Sequence, residues 1–188
     1  MVKRLLLISF LALSVVPTEA RVIDSLFHQL DLAIENNGLY MKEKEIRIES
    51  LRKMLLKSNI PLEEAFSVNT MIYNEFVKYN FDSTLSYINR NIEIGKKLDR
   101  KDWIYQSYFQ LSHLFTSAGI YMESKRILDS VPPSQLSRKQ LIEYYSCRHQ
   151  LYVELGMYNP TKQGASSYYR IAEITTDSLL NWLDPDSD

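Results

Sequence analysis

One joint occurs twice in this sequence, and it limits what the chain can fold into more than any other feature. Leu111, Phe115, Gly119, Tyr121 and Leu128 recur as Arg148, Tyr152, Gly156, Tyr158 and a degraded continuation, 37 residues further on. A third, poorer copy runs Ile72, Phe76, Phe81, Thr84 and Ile88, with a turn one residue shorter. Bulky residues four apart, then a break, then an aromatic that restarts the helical spacing describe a helix–turn–helix pair. Such a pair cannot bury its apolar face alone, so three in series predict a stacked helical array in place of a closed bundle. The chain holds only five Gly and six Pro, which leaves room for long helices and excludes a collagen, a linker or a loop-rich β-sandwich.

The remaining segments read as helices at close intervals. Asp24 and Ser25 offer an N-cap, and Leu26, Leu30, Ala33 and Ile34 follow until Asn36-Asn37-Gly38 stops the run. From Tyr40 to about Lys57, Met41, Ile48 and Leu55 stand seven apart with Leu51 between them, a single narrow stripe. Glu43/Arg47 and Glu49/Lys53 pair at i,i+4 on its solvated faces. These two segments predict a helical hairpin over residues 21–60. Pro61, Glu63 and Glu64 then suit the start of a helix carrying Ala65, Ile72 and Phe76. Asp82 is the candidate cap of the next helix, which carries Leu85, Ile88, Ile92 and Ile94, and Gly95 late in it costs about 1 kcal/mol relative to Ala. Asp102–Ala118 ends at Gly119, Tyr121–Val131 ends at Pro132-Pro133, Ser137–Leu155 ends at Gly156, and a last helix runs from about Ser166 to Leu183. No stretch alternates with period two, so the reading is all-α throughout residues 61–188.

The repeats resemble tetratricopeptide repeats, whose period is about 34 residues, with bulky residues on helix A, a Gly-x-Tyr turn, and a small residue where helix B crosses. Ser124 and Thr84 fill the small position here. The period of 37 to 40 is longer than standard, and the Trp position holds no Trp. The fold implied is a TPR-like α-α solenoid preceded by the N-terminal hairpin. Its A/B interfaces account for the thirteen Tyr, apolar body inward and hydroxyl toward the rim.

Residues 1–20 read as an address. Lys3 and Arg4 precede an apolar run from Leu5 to Val16, Pro17 breaks it, and small residues before position 21 set a signal-peptide cleavage site after Ala20. A twelve-residue core would span about 18 Å as a helix, short of the roughly 30 Å hydrocarbon layer. The expected mature protein is therefore exported and periplasmic, with no membrane span. With 22 basic and 23 acidic residues, no net field draws it to nucleic acid or an anionic membrane. The lone Cys147 excludes an intramolecular disulfide framework and a cysteine zinc cluster, and it falls in an apolar helical pattern that predicts burial.

Catalytic motifs are scarce. His28, His113 and His149 stand far apart and form no His-Glu-x-x-His pattern. Ser50-Leu-Arg-Lys53 matches Ser-x-x-Lys by spacing but lacks its Ser-Asp-Asn and Lys-Thr-Gly partners. Asp184, Asp186 and Asp188 alternate like the opening of a calcium loop without its Gly and Glu. No phosphate loop and no nucleophile elbow occurs, so the reading is a non-enzymatic chain without a cofactor or metal.

The stretches Leu26–Ile34 and Tyr40–Leu51, the Phe81-Asp82-Ser83 turn, Gly119-Ile120-Tyr121, the Tyr144-Tyr145 pair and Asp177–Leu180 resemble the secreted TPR-containing regulators of Bacteroidetes-type bacteria. In that family an exported TPR sensor region precedes a membrane span, a coiled coil and a cytoplasmic DNA-binding region. The resemblance implies the sensor region alone: no span and no basic helix-turn-helix follows by Asp188, so direct nucleic-acid binding is not expected. The expected function is an interaction or sensor module for a protein or peptide partner, or a glycan-linked one. The other reading is a structural scaffold or orphaned sensor fragment. Oligomeric state is left open by the sequence. If Leu111 and Phe115 pack inward, helical rotation of about 100° per residue turns Gln106, Phe109 and His113 to the concave face, with Asn74 and Gln150 at matching places in the flanking repeats. Amides there both donate and accept. The bland alternative is that Phe109 packs against the next repeat and the amides are merely solvated.

Overall fold

The computed structural model describes residues 18–159 and 161–183. The expected export segment up to residue 17 and the acidic tail from Asp184 lie outside them. The chain divides into two compact units between Arg47 and Ile48, and the described residues form eight α-helices and one 3-10 turn, with no strand among them.

The first unit holds α1 (Thr18–Glu35) and the first turns of α2 (Asn37–Leu55). Asp24 and Ser25 do not open a helix, because α1 already runs from Thr18. Only Asn36 separates the two helices. Its N–H donates to the Leu32 carbonyl at 3.0 Å, and the Tyr40 N–H donates back to the Asn36 carbonyl at 3.1 Å. One residue is shorter than the loops that close helical hairpins. Where the sequence predicts a hairpin, α1 and α2 follow one another end to end. Every described side chain from Val22 to Glu43 is exposed, including the apolar face of Ile23, Leu26, Phe27, Leu30 and Ile34.

The second unit begins where burial begins. Ile48 is buried, with Leu51 and Leu55 packed beside it, while Met41 of the same stripe falls in the first unit and is exposed. Three helical pairs follow: α3 (Leu62–Phe76) with α4 (Phe81–Lys97), α5 (Lys101–Ser117) with α6 (Tyr121–Asp129), and α7 (Arg138–Met157) with α8 (Lys162–Leu180). Each first helix packs on its own second helix, α4 packs on α5, α6 on α7, and α5 on α7 directly. That adjacency is a solenoid of A and B helices, with α3, α5 and α7 as the A helices.

The ends of the helices follow local chemistry. Pro61 stands at the N-cap of α3, with Glu63 and Glu64 in its first turn. The α4 cap is Asn80, whose Oδ1 accepts from the Ser83 N–H at 2.9 Å; Asp82 sits inside the first turn instead. Ser137 and Gln140 form a capping box at α7. Thr161 caps α8 through the Gly164 N–H at 3.1 Å, so the helix begins at Lys162, four residues before the start the sequence indicates. Gly119 ends α5 at φ +77°, where an L side chain is strained. There the Ile120 N–H reaches the Phe115 carbonyl at 2.8 Å.

Gly156 has a different job from Gly119. Helix α7 continues through it to Met157, and a Cβ at Gly156 would lie 2.7 Å from the Tyr169 ring. Close approach of the Tyr169 ring on α8, not a chain stop, is what the missing side chain accommodates there. Gly95 is similar, because a Cβ would meet Ile104 Cγ1 at 2.9 Å and the Ile104 backbone nitrogen at 3.3 Å. The small positions Thr84 and Ser124 are fully buried. Ser124 Oγ lies 2.8 Å from Ser112 Oγ and 2.7 Å from Thr116 Oγ1, and it donates to the Ser112 carbonyl at 3.0 Å. Those bonds satisfy the hydroxyl inside the α5–α6 crossing.

The core divides between repeats. Leu111 and Leu114 join Ile72, Phe76, Ile88 and Ile92, with Phe115 packed against them. Leu128 joins Phe109, Val131, Tyr144 and Leu151, with Tyr121 packed against that cluster. The four repeat residues Leu111, Phe115, Tyr121 and Leu128 therefore serve two interfaces. Aromatic residues also touch along the array, since the equivalent Tyr121 and Tyr158 rings stack at 6.2 Å and Phe81 stacks on Phe115 at 6.3 Å.

Candidate functional site

Along α5 and α7 the repeat spacing brings matching residues side by side. A groove of about 310 Å³ runs between them. Helix α5 contributes Gln106, Phe109, Gln110 and His113, helix α7 contributes Ile142, Glu143, Ser146 and Cys147, and α3 contributes Tyr73. All of these stand on A helices, which in a solenoid form the concave side. A second cavity of about 310 Å³ adjoins it, lined by Asp102, Trp103 and Gln106 on one side and Ser137, Lys139, Gln140 and Glu143 on the other. Gln106 and Glu143 line both, so the two cavities form one track.

The candidate residues fall as follows. Gln106 and His113 line the groove, and His113 Nδ1 lies 2.8 Å from Gln150 Oε1, which ties Gln150 to its wall. Phe109 is 3% exposed, edge-on to Tyr144 at 6.1 Å. Its ring packs against the next repeat, the bland alternative, while forming the floor of the groove. Asn74 is exposed and is not among the lining residues; its neighbour Tyr73 is.

The repeat arithmetic carries a signal for the residues that helical rotation alone misses. Glu143, Ser146, Cys147 and Gln150 stand 37 residues after Gln106, Phe109, Gln110 and His113. Applying the offset to every concave position of α5, instead of to His113 alone, finds the α7 wall. The same offset sets Lys139 and Gln140 against Asp102 and Trp103 in the second cavity, where Gln140 Nε2 also donates to the Asp102 carbonyl at 3.0 Å.

The groove's charges are unevenly compensated. Asp102 accepts from Arg100 through Nε at 2.9 Å and Nη2 at 2.7 Å, and that guanidinium holds its carboxyl below the usual range. Glu143 makes no hydrogen bond or ion pair among the described residues. Burial pushes its carboxyl above the usual value, opposed only by Lys139 one turn earlier. Burial also raises the Tyr73 hydroxyl and pushes the Cys147 thiol up to about 12. The Cys147 thiol points at the Phe109 carbonyl, 3.6 Å away, and stays protonated, which makes it a poor nucleophile.

A larger groove of about 590 Å³ lies along α3 and α4, with Leu55, Ala65 and Ile94 as its apolar wall. Two of its rim charges are engaged: Glu93 pairs with Lys96 at 2.8 Å, and Arg90 lies 4.9 Å over the Tyr87 ring. Among the described residues no group of three or more acidic, His or Cys side chains could hold a metal ion. No described helix is long and apolar enough to cross a membrane.

A family model described as the SusR N-terminal TPR domain matches residues 34–188. The chain belongs to the SusR N-terminal TPR family. This agrees with the all-helical array and with the resemblance to the TPR regions of Bacteroidetes-type regulators. No curated protein and no solved structure matches the chain. In a SusR-type TPR domain the repeat is a generally non-catalytic scaffold that commonly mediates protein interactions. The α5–α7 track offers what such a scaffold uses: amide donors and acceptors above an apolar floor.

Proposed function

We propose that this protein is an exported interaction and sensor module, acting without catalysis, that holds a peptide or protein partner in the α5–α7 groove. The observation that carries the reading is the composition of the groove. The A helices of all three pairs line it, and the amides of Gln106 and Gln110, the His113 imidazole and the Ser146 hydroxyl gather over Phe109 and Ile142. Export rests on the charged, apolar and small-residue pattern of residues 1–20. A place in signal transduction rests on family membership. A purely structural scaffold would leave this surface without a ligand.

A photo-cross-linking amino acid placed at Gln110 tests the reading against one at Met122, which is exposed on α6. The expected result is adducts formed at position 110 and not at position 122. Equal labelling at both, or none at 110, would contradict the groove as the working surface. Secreted material should have an intact mass that begins at Arg21.

A further inference from the structure

We propose that the α5–α7 groove takes an extended peptide segment bearing a lysine or arginine side chain, whose cation pairs with the Glu143 carboxylate. This rests on the reading of the groove as the interaction surface and names the chemistry of what it selects.

Glu143 carries the argument by its position. It lines both cavities, so a chain following the track must pass it. It is half-buried and has neither a hydrogen bond nor an ion pair among the described residues. Asp102, the other acid on the track, already has the Arg100 guanidinium. A partly desolvated carboxylate with Lys139 nearby but no cation paired to it is costly, and that cost is relieved when a ligand supplies the paired cation.

The surroundings suit the rest of such a ligand. Ile142, over the Phe109 floor, offers apolar surface to the aliphatic stem of a lysine or arginine. Gln106, Gln110 and Ser146 lie beside Glu143 along the same track and can both donate to and accept from an extended backbone. An acidic side chain at this place would face Glu143 with only Lys139 to offset the repulsion, which turns the same carboxylate into a filter. The larger α3–α4 groove makes no comparable demand, because its Glu93 is already paired.

The test is a titration of the full chain with acetylated, amidated heptapeptides of alanine and glutamine. They differ only at the centre: lysine, arginine, norleucine or glutamate. Backbone amide shifts read the binding site, and a melting curve checks that each protein variant is folded. The lysine and arginine peptides are expected to move the Gln106, Gln110 and Ser146 amides and to bind about fivefold or more tightly than norleucine, the scale of one partly desolvated ion pair. Glutamate should bind weakest. In Glu143→Gln the lysine and norleucine peptides should become equal. Should that variant fail to fold, the peptide series on the unaltered protein still decides. Norleucine binding as well as lysine would overturn the charge selection while leaving the groove as the interaction surface. No movement of groove amides by any peptide would overturn both.

Discussion

The N-terminal unit and the solenoid are built from the same materials and end in opposite states. Ile23, Leu26, Phe27, Leu30 and Ile34 repeat at helical spacing as cleanly as Val68, Ile72 and Phe76 do. The first set is exposed and the second buried. An amphipathic stripe specifies a helix, but burial needs a second face, and the solenoid supplies one every 37 to 40 residues. The joint at Asn36 is a single residue, whereas the joints inside the solenoid are longer and carry their own devices, such as the Asn80 cap and Gly119 at positive φ. Periodicity gives the element, and the joint helps decide whether the element finds a partner.

Identical substitutions in the two regions can break this contrast. Phe109→Ala should cost about 3–5 kcal/mol, because the ring is enclosed between α5 and α7. Phe27→Ala, at a side chain 61% exposed, should change stability by less than about 0.5 kcal/mol. Chemical denaturation of the two variants measures both, and comparable losses would mean that α1 is packed after all.

Glycine to alanine should differ in sign. At Gly95 the new methyl meets Ile104 and the Arg100 carbonyl, so the variant should lose about 1–3 kcal/mol by overpacking. Gly38 has nothing within 4 Å of a Cβ and lies in a helix. There alanine should raise stability by about 0.5 kcal/mol through helix propensity. Thermal melts that moved in the same direction would remove the distinction between crowded and unpartnered helices.

The smallest effect concerns a charge that burial disfavours. The Glu143 carboxyl is raised above its ordinary 4.5 in the folded state, so between the two values the folded protein holds a proton the unfolded chain has released. Stability is therefore lost as pH rises through that window. Glu143→Gln removes the loss and should stabilise the protein by up to about 0.5 kcal/mol above the window, with no gain below it. Urea midpoints at acid and neutral pH check the sign; a gain at acid pH alone would contradict it.

Much of the fold is legible in the sequence because repeated joints report directly on repeated contacts. Thr84 and Ser124 mark helix crossings before any coordinate is known, since nothing larger fits there. What escapes is information held by a distant partner. Gly119 and Gly156 look alike in the repeat, but only Tyr169, on α8, makes the second a packing glycine. The hairpin over residues 21–60 follows from two amphipathic stripes, and the stripes do not state that Asn36 alone joins them. The groove is half-legible in the same way. Rotation about α5 turns Gln106 and His113 outward but also selects Phe109, whose burial depends on Tyr144 from the next repeat. Asn74 matches His113 at the 39-residue spacing that sets Ile72 against Leu111 and Phe76 against Phe115, yet it is exposed and outside the groove, which its neighbour Tyr73 lines instead. Glu143 is invisible to a search for catalytic motifs, because its significance is the lack of a paired partner and not a pattern.

The central claim is that the A-helix face, where α5 and α7 run side by side, is the working surface. Hydrogen exchange followed by mass spectrometry, on the protein alone and with a partner identified by cross-linking at position 110, tests it most directly. The account predicts new protection over Gln106–His113 and Glu143–Gln150. Protection confined to the B helices, over Asp82–Ile94 and Tyr121–Val131, would contradict it.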